Sequence, residues 1–317
     1  MNIFQKRTID SIGFENALNS FKKASQSVPA YSDFLRINGV NYSKIRTVDD
    51  FKHVPIVTKD NYLTKYPFKD MLVAGDIISP KIISMSSGSS GMPFFWPRNA
   101  YNSNESTEMH RQIFEQFDTL RKNTLIIIAF AMGNWIAGTY TLEALQALQD
   151  DGHRLTITTP GLDATAISRI FNELGQSYEQ VIIMGYPPFV KDALLHTKDL
   201  MGIKRFSRLN LKVVLAGENI SEQWRDYLMS NFIGNKSLLN VCLIYGTADA
   251  GMMGHETPET ITFRRYLTKA SNGVRNNFLN FSKNNTIPTI VKYYPEYKFF
   301  EEVDNYLIFT YYGALPL

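Results

Sequence analysis

Four short runs of apolar residues, separated by segments of helical character, constrain the fold more than any other feature of the chain. The runs are TLIIIAFA at 124–131, QVIIMG at 180–185, LKVVLAG at 211–217 and NVCLIYG at 240–246. Continuous apolar runs of this length are typical of strands buried on both faces of a parallel sheet. Helical patterns alternate with them at 142–148, 164–174, 189–196 and 222–231. The sequence therefore predicts an α/β fold in which helices cover both faces of parallel-rich sheets.

The two ends of the chain differ from this alternating middle. Residues 1–80 predict a mostly helical leader, because apolar residues recur there at helical spacing. Residues 261–317 are rich in aromatic and β-branched residues, which favours antiparallel hairpins. Between the ends we expect two αβα subdomains, at 81–200 and 201–260, so that the last segment forms a small β-rich part.

Composition and charge exclude several classes of protein. The 317 residues carry 33 Lys and Arg against 30 Asp and Glu, and a net charge of +3 is too weak to indicate a nucleic-acid partner. The single cysteine, Cys242, excludes an internal disulfide framework and a metal site built from a cysteine cluster. The N-terminus is polar and the longest apolar run is too short to cross a bilayer, so we expect a cytoplasmic protein with no membrane partner.

Three polar, glycine-containing loops follow predicted strands, at 86–93, 217–219 and 245–251. In open parallel sheets, ligands bind beyond the carboxyl ends of the strands, so we expect the site where these loops converge. In the first loop, glycines let the backbone approach a ligand, consecutive N–H groups can cradle an anion, and serine hydroxyls add donors. This chemistry suits a triphosphate, although no Gly-Lys-Ser/Thr closes the loop as in a Walker A motif. A flexible Ser/Gly connection is the alternative.

That first loop, SSGSSGMP at 86–93, resembles the phosphate loop of adenylate-forming enzymes, which has the form SSGTTGKP. Further strings, in the same order, resemble the phenylacetate–CoA ligase and CapK-like branch of that superfamily. They are VPIVTK at 54–59, GYPP at 185–188, LAGEN at 215–219 followed by Arg225, and YGTAD at 245–249. The resemblance extends along most of the chain. It implies the fold of the large N-terminal domain of such an enzyme, with two αβα subdomains.

The resemblance also implies an activity. The family joins a carboxylic acid to AMP from MgATP and releases pyrophosphate, and many members then pass the acyl group to coenzyme A. It therefore implies ATP and Mg²⁺ as cofactors and a small-molecule carboxylic acid, aryl in this branch, as the substrate. Coenzyme A and a carrier protein both stay open as acceptors. Because related proteins are often dimers, a homodimer stays open too.

Nucleotide-binding roles follow from the resemblance by position. The loop residues that fall where the family holds the β- and γ-phosphates are Ser86, Ser87, Gly88, Ser89, Ser90 and Gly91. The residues that fall where the family lines the adenine are Gly217, Glu218 and Asn219. Tyr245, beside Gly246, falls where an aromatic ring stacks on the base, with a core aromatic as the alternative.

Catalytic and acid-binding roles follow in the same way. Thr247 matches a hydroxyl that faces the α-phosphate, with a loop-capping threonine as the alternative. Asp249 matches the acidic residue that holds Mg²⁺ near the phosphates. For the acid we predict a pocket in which Gly138 makes room for a ring and Trp135 forms a wall, with Tyr186 near the same cavity. A core tryptophan is the alternative for Trp135.

Three departures from the family pattern support a second hypothesis. Met92 stands where the family usually has lysine, and Asp249 where it usually has glutamate. The sequence ends at Leu317, before the expected ribose-binding aspartate and before the small C-terminal lid domain with its catalytic lysine. The second hypothesis is therefore a catalytically impaired or inactive descendant that binds a nucleotide or an acyl-adenylate and acts through a partner protein.

The remaining chemistry-bearing residues are predicted to be structural. His255 beside Glu256 has no partner at metal-ligand spacing, which favours a solvated histidine or a loop histidine. Cys242 lies inside an apolar run and is predicted to be a core residue rather than a nucleophile. A solvated basic face is predicted for Arg264, Arg265, Lys269 and Arg275.

Overall fold

The computed structural model of the chain describes residues 3–86, 93–234, 237–278, 287–303, 306–311, 313 and 315. It divides into two compact units, one formed by Met1–Glu105 with Tyr294–Leu317 and the other by Ser106–Tyr293. The helices and strands are numbered below along the chain.

The helices within the described residues are α1 (Ile3–Ser27), α2 (Pro29–Ile37), α3 (Val48–Phe51), α4 (Ala100–Gln116), α5 (Ile136–Asp150), α6 (Ala164–Leu174), α7 (Pro187–Met201), α8 (Ile203–Phe206), α9 (Glu222–Leu228), α10 (Pro258–Lys269) and α11 (Asn272–Phe278). The strands are β1 (Ile82–Met85), β2 (Phe95–Arg98), β3 (Thr124–Ala129), β4 (Leu155–Thr158), β5 (Gln180–Gly185), β6 (Leu211–Ala216), β7 (Val241–Thr247), β8 (Gly251–His255), β9 (Phe299–Val303) and β10 (Tyr306–Thr310). Among the described helices, none is both long and apolar enough to cross a bilayer.

The unit Ser106–Tyr293 is built on a six-stranded sheet with the order β4-β3-β5-β6-β7-β8. The first five strands are parallel, and β8 runs antiparallel at the edge beside β7. Every residue of β3 and β5 is buried, because helices pack on the sheet. The predicted α/β class with a parallel-rich sheet is therefore confirmed. Numbered by chain position, the parallel strands have the order 2-1-3-4-5 of a doubly wound sheet.

The helices begin where the local sequence supplies caps. Asp163 precedes α6, and its carboxylate accepts a hydrogen bond of 2.9 Å from the Ala166 N–H. Thr257 precedes α10 and forms a capping box with Thr260, while Pro258 occupies the first turn, where no N–H is needed. The helices then bury apolar stripes on the sheet, such as Phe171 of α6, which is fully buried. Truncation of such a phenylalanine to alanine typically costs about 3–5 kcal/mol.

The sheet differs from the sequence prediction in how the chain is partitioned. The prediction divides the chain at residue 200, whereas β5 and β6, on either side of that position, are neighbouring strands with Val181 opposite Leu211. In the segment predicted to be β-rich, 261–317, most residues up to 278 lie in α10 and α11, although the antiparallel hairpin β9–β10 does lie in that segment. Hydrophobic periodicity in the sequence predicts where helices and strands lie. It does not predict which strands pair, because pairing depends on contacts between distant parts of the chain.

The other unit holds two antiparallel hairpins. β1 and β2 pair with Ile82 opposite Arg98, and the predicted phosphate loop connects their other ends. β9 and β10 form the second hairpin, and Phe299 of β9 packs edge-on against Phe14 of α1. A buried ion pair joins Lys298 to Glu105 of α4.

Candidate functional site

Four neighbouring parallel strands bring the residues predicted for adenine and acid binding to one edge of the sheet. The strands are β3, β5, β6 and β7, and their carboxyl ends meet at the same edge. In strand order, the residues that follow these ends or form them are Trp135, Tyr186, Gly217, Glu218, Asn219, Tyr245, Gly246 and Thr247. This edge, defined by those residues, is called the carboxyl edge below.

The strand order reverses between β3 and β5, since β3 also pairs with β4 on its other side. Such a reversal opens a crevice where open α/β sheets bind ligands. Trp135 and Tyr186 occupy the N-cap positions of the helices that follow these two strands, yet neither caps its helix through its side chain. Their rings are 46% and 41% exposed. Large exposed aromatics at positions that usually carry Ser, Thr, Asp or Asn indicate a role other than capping.

Tyr186 makes two contacts with the loop that follows β6. A Cβ at Gly217 would lie 3.3 Å from Cδ2 of the Tyr186 ring, which is a tight contact, and Gly217 has a φ of +94°, a backbone conformation that favours glycine. The Tyr186 hydroxyl donates a hydrogen bond to the Glu218 carboxylate, and this bond raises the pKa of Tyr186 because it is lost on ionisation of the phenol.

The same loop is held from its other side by Asn219. Its side-chain oxygen Oδ1 accepts a hydrogen bond of 3.2 Å from Oγ1 of Thr289, 70 positions later in the chain. Thr289 was not predicted as part of the site. No motif surrounds it, so the sequence offers no signal by which it could be found.

The turn from β7 to β8 carries the remaining predicted residues of the carboxyl edge. Tyr245 is 45% exposed, so it is not a core aromatic. A bulge follows it at Gly246, where a Cβ would lie 2.5 Å from the carbonyl oxygen of Gly251. Thr247 accepts a hydrogen bond of 3.2 Å from the Ala250 N–H through its hydroxyl. Thr247 therefore caps the turn in this structure, and its predicted role toward the α-phosphate stays a prediction.

Asp249 lies within this turn, and its Oδ1 accepts a hydrogen bond of 2.9 Å from the Ala250 N–H. Among the described residues, no group of three or more His, Cys, Asp or Glu side chains forms a metal cluster. A single carboxylate nevertheless fits Mg²⁺ in a nucleotide site, because that ion keeps several waters and takes further ligands from phosphate oxygens. Asp249 is the residue of the turn that would hold it.

Gly138 lies in close contact with the segment after β3. A Cβ at Gly138 would lie 2.5 Å from the carbonyl oxygen of Ala131 and 2.6 Å from Sδ of Met132. The position of a Cβ is therefore filled by the protein itself, and the predicted role of Gly138 beside the acid stays a prediction. The glycine lets α5 approach the segment after β3, which is a packing requirement that a motif-based reading does not reveal.

The predicted phosphate loop is the chain segment between β1 and β2. Ser87, Gly88, Ser89, Ser90 and Gly91 are outside the described residues, and their role stays a prediction. Ser86 is described: its N–H donates to the Phe94 carbonyl oxygen at 3.0 Å, and its hydroxyl oxygen accepts from the Phe94 N–H at 2.9 Å. Ser86 thus closes the base of the loop.

A buried ion network supports β7, the strand that carries Tyr245. The Arg225 guanidinium donates through Nη2 to both carboxylate oxygens of Glu256, at 2.6 and 2.7 Å, and through Nε to Glu222 at 3.1 Å. Nη1 of Arg225 donates to the Val241 carbonyl oxygen, and Oε2 of Glu256 accepts from the Leu243 N–H at 2.9 Å. Pairing of β7 with β8 begins only at Ile244. The Arg225–Glu256 ion pair thus supplies hydrogen bonds to the backbone of the earlier residues Val241 and Leu243.

The basic residues after the sheet belong to this network, so the prediction of a solvated basic face is wrong for Arg264 and Arg265. Arg264 is 3% exposed and contacts Glu222 at 3.1 Å, while Arg265 contacts Glu222 at 2.8 Å. The sequence did contain a signal for Arg264. It lies three positions from both Ile261 and Leu267, on the buried face of α10.

The predictions for His255 and Cys242 have opposite outcomes. His255 is fully buried, and its Nδ1 lies 2.8 Å from the Glu256 carbonyl oxygen, so the prediction of a solvated histidine is wrong. Burial lowers the pKa of His255, which keeps it neutral. Cys242 is a fully buried core residue, as predicted, and burial raises the pKa of its thiol.

Comparison with known proteins shows the fold. No family model matches the chain, and no curated protein sequence matches it. Solved structures do. The open form of 2-hydroxyisobutyryl-CoA ligase in complex with 2-HIB-AMP and CoA superposes with a TM-score of 0.57 at 15% identity, covering 77% of this chain and 55% of that one. The same enzyme in the thioesterification state gives 0.60 at 15% identity, with 81% and 53% covered.

A third structure of that enzyme, in the postadenylation state with R3-HIB-AMP, gives a TM-score of 0.60 at 15% identity and covers 79% of this chain and 51% of that one. The chain therefore spans about half the length of the solved proteins that it matches. At this identity the likeness establishes the fold alone: a mixed α/β fold with a parallel-rich sheet, as in the N-terminal domain of adenylate-forming enzymes.

Proposed function

We propose that the chain is the adenylation domain of an AMP-forming carboxylate ligase of the phenylacetate–CoA ligase and CapK-like branch. It would activate a carboxylic acid with ATP, form an acyl-adenylate and release pyrophosphate. One observation carries the proposal: residues of three separate family-like strings, GYPP, LAGEN and YGTAD, lie at the carboxyl edge of adjacent parallel strands. A fold shared with a ligase whose structures hold 2-HIB-AMP supports it.

In this proposal the chain's residues bind and orient the reactants. Tyr245 presents an exposed ring on which adenine stacks, and Glu218 and Asn219, in the loop after the neighbouring strand β6, offer polar contacts with the base. The Thr247 hydroxyl points the α-phosphate toward the acid. Asp249 holds Mg²⁺, which neutralises phosphate charge when bound. Alignment of the carboxylate with the α-phosphate and stabilisation of the developing charge would supply the catalysis.

The acid is proposed to be aryl. The exposed rings of Trp135 and Tyr186, at the two sides of the strand-order reversal, offer faces on which a planar acid can pack. Coenzyme A is the proposed acceptor, since the solved ligase holds it, and a carrier protein is the alternative acceptor. A homodimer in the cytoplasm is part of the same proposal.

A second candidate function is a nucleotide-binding descendant that does not turn over and acts through a partner protein. The turn after β7 favours it, because the Thr247 hydroxyl and an Asp249 oxygen are both engaged by the Ala250 N–H. Met92 in place of the loop lysine removes one positive charge from the phosphate loop.

Calorimetric titration of the 317-residue chain with MgATP tests the proposal. Saturable binding is expected, and Tyr245→Ala should weaken it about tenfold or more through loss of the stacked ring. Tyr266→Ala is the matched control, since Tyr266 is 54% exposed on α10 and is not part of the carboxyl edge. Acid-dependent release of pyrophosphate would support the ligase, whereas binding without release would support the second candidate. No binding at millimolar MgATP would refute both.

A further inference from the structure

Lys212 is a buried lysine at the amino end of β6, the end away from the carboxyl edge. It is the second residue of that strand and is 9% exposed. Its Nζ donates a hydrogen bond of 2.6 Å to Oδ1 of Asn240, which precedes β7 and is 2% exposed. The register that sets Val213 opposite Val241 makes Lys212 and Asn240 neighbours across the sheet. Their contact is therefore built into the pairing of β6 with β7.

The charge of Lys212 is not offset by a carboxylate. Within the described part of the chain Lys212 forms no ion pair, and the Asn240 amide is neutral. Another buried lysine, Lys298, is instead paired with Glu105. Burial lowers the pKa of Lys212, and the charge of Lys122 lowers it further because the two cations repel. A buried charge without a counter-charge is costly, and an anion that binds beside it removes that cost.

Hydrogen-bond donors are also left unmatched beside this charge. The ammonium has three N–H groups, and the bond to Asn240 uses one of them. Because an ammonium cannot accept a hydrogen bond, the amide oxygen of Asn240 is the atom that meets it, and Nδ2 is left as a donor. This Nδ2 is buried and has no hydrogen-bond partner among the described residues. Donors grouped around a positive charge fit an oxyanion, since each of its oxygens can accept.

We propose that Lys212 and Asn240 form a binding site for a small tetrahedral oxyanion, for which inorganic phosphate is the probe. The ammonium neutralises the anion and donates to one oxygen, while Nδ2 of Asn240 donates to another. The low exposure of both side chains favours a free anion over a phosphoryl group carried by a larger molecule. The site lies at the opposite end of β6 from Gly217, so it is separate from the proposed nucleotide site and does not depend on the proposed function.

Thermal unfolding of the whole chain in increasing inorganic phosphate, at constant ionic strength, tests the site. An anion that binds only the folded chain raises the melting temperature with its concentration, and a saturable rise is expected. Lys212→Met keeps an apolar stem and removes the charge. It should raise the dissociation constant for phosphate about tenfold or more, the range expected when a charged hydrogen bond is lost. Lys191→Met is the matched control, because Lys191 pairs with Asp192 at 3.0 Å on α7, and it should keep the natural response.

Asn240→Asp provides a second variant that keeps the size of the side chain. Its carboxylate supplies the counter-charge for Lys212 from within the chain and takes away the Nδ2 donor. In phosphate-free buffer this variant should melt no lower than the natural sequence. Its response to phosphate should disappear, because the ammonium is already neutralised. A lysine–amide contact with only a structural role would give no phosphate response for either variant to remove.

The possible results separate the inference from its alternatives. The inference is overturned by the absence of a saturable phosphate response in the natural sequence. It is also overturned by a response that persists in Lys212→Met or in Asn240→Asp, since the anion would then bind elsewhere. Glycerol 3-phosphate distinguishes a free anion from an esterified one and should bind more weakly than phosphate. Equal or tighter binding of the ester would overturn the assignment to a free anion.

Discussion

Replacement of Arg225 by methionine is expected to be strongly destabilising. Methionine keeps an apolar stem of similar reach but removes the guanidinium from a fully buried position. Glu256, also fully buried, then loses contacts of 2.6 and 2.7 Å and keeps the Leu243 N–H at 2.9 Å and Nη1 of Arg264 at 4.0 Å. A charge that stays buried without its partner typically costs about 3–5 kcal/mol.

A double substitution separates the charge effect from the packing effect. Arg225→Met combined with Glu256→Met removes both charges, and the remaining cost is the loss of partners for the Val241 carbonyl and the Leu243 N–H, about 1–3 kcal/mol each. The double variant should therefore be no less stable than Arg225→Met alone. Such non-additivity is expected only of residues that interact directly.

Acidification provides an independent check of the Arg225→Met variant. Burial raises the pKa of Glu256, and loss of its cation raises it further. A carboxyl whose pKa is higher in the folded than in the unfolded state contributes stability below its unfolded value and loses that contribution as the pH rises. The deficit of Arg225→Met relative to the natural sequence should therefore shrink between pH 7.5 and pH 5.

Urea unfolding, followed by circular dichroism and by the fluorescence of the adjacent Trp224, measures these free energies. Arg169→Met is the control, because Arg169 forms an exposed pair with Glu173 at 2.7 Å and its loss should leave the midpoint unchanged. A deficit below about 1 kcal/mol for Arg225→Met at pH 7.5 would refute the reasoning, as would a deficit that grows on acidification.

Three further predictions follow from the geometry. Burial lowers the pKa of His110 to about 4, so stability should fall as the pH drops from about 6.5 toward 4, and His110→Asn should flatten this dependence in urea unfolding. Gly246→Ala should lower the melting temperature and weaken MgATP binding, because its Cβ would lie 2.5 Å from a carbonyl oxygen of β8. The control is Gly273→Ala, where the Cβ would meet open space. This variant should keep MgATP binding unchanged and leave the melting temperature unchanged or raise it slightly. Gly217→Ala should cost about 1–2 kcal/mol of stability in thermal unfolding, through its φ of +94° and its contact with Tyr186.

The fold could be predicted from the sequence wherever burial is continuous. The runs at 124–131 and 180–185 are apolar at almost every position and became β3 and β5. β8, with the sequence GMMGH, was missed because two glycines and no β-branched residue give it no strand propensity. It is a strand because it pairs antiparallel with β7.

Only part of the candidate site could be predicted from the sequence. Tyr245 and Tyr186 could be identified because each follows an apolar run within a family-like string. The bond from Tyr186 to Glu218 and the filled space beside Gly138 could not, since both arise from segments that tertiary packing brings together. The buried network around Arg225 was missed because charged side chains are usually exposed, so a sequence pattern of charged residues predicts a solvent-exposed surface.

The contact between Asn219 and Thr289 has a consequence during synthesis. The two residues are 70 positions apart. At roughly 5–20 residues per second, the loop after β6 leaves the ribosome about 4–14 s before Thr289 does. For part of that time β6 can pair with β5 but not yet with β7, so one side of an apolar strand stays unpaired and invites wrong pairing. The side of β6 that later pairs with β7 is therefore where a nascent chain most needs a chaperone.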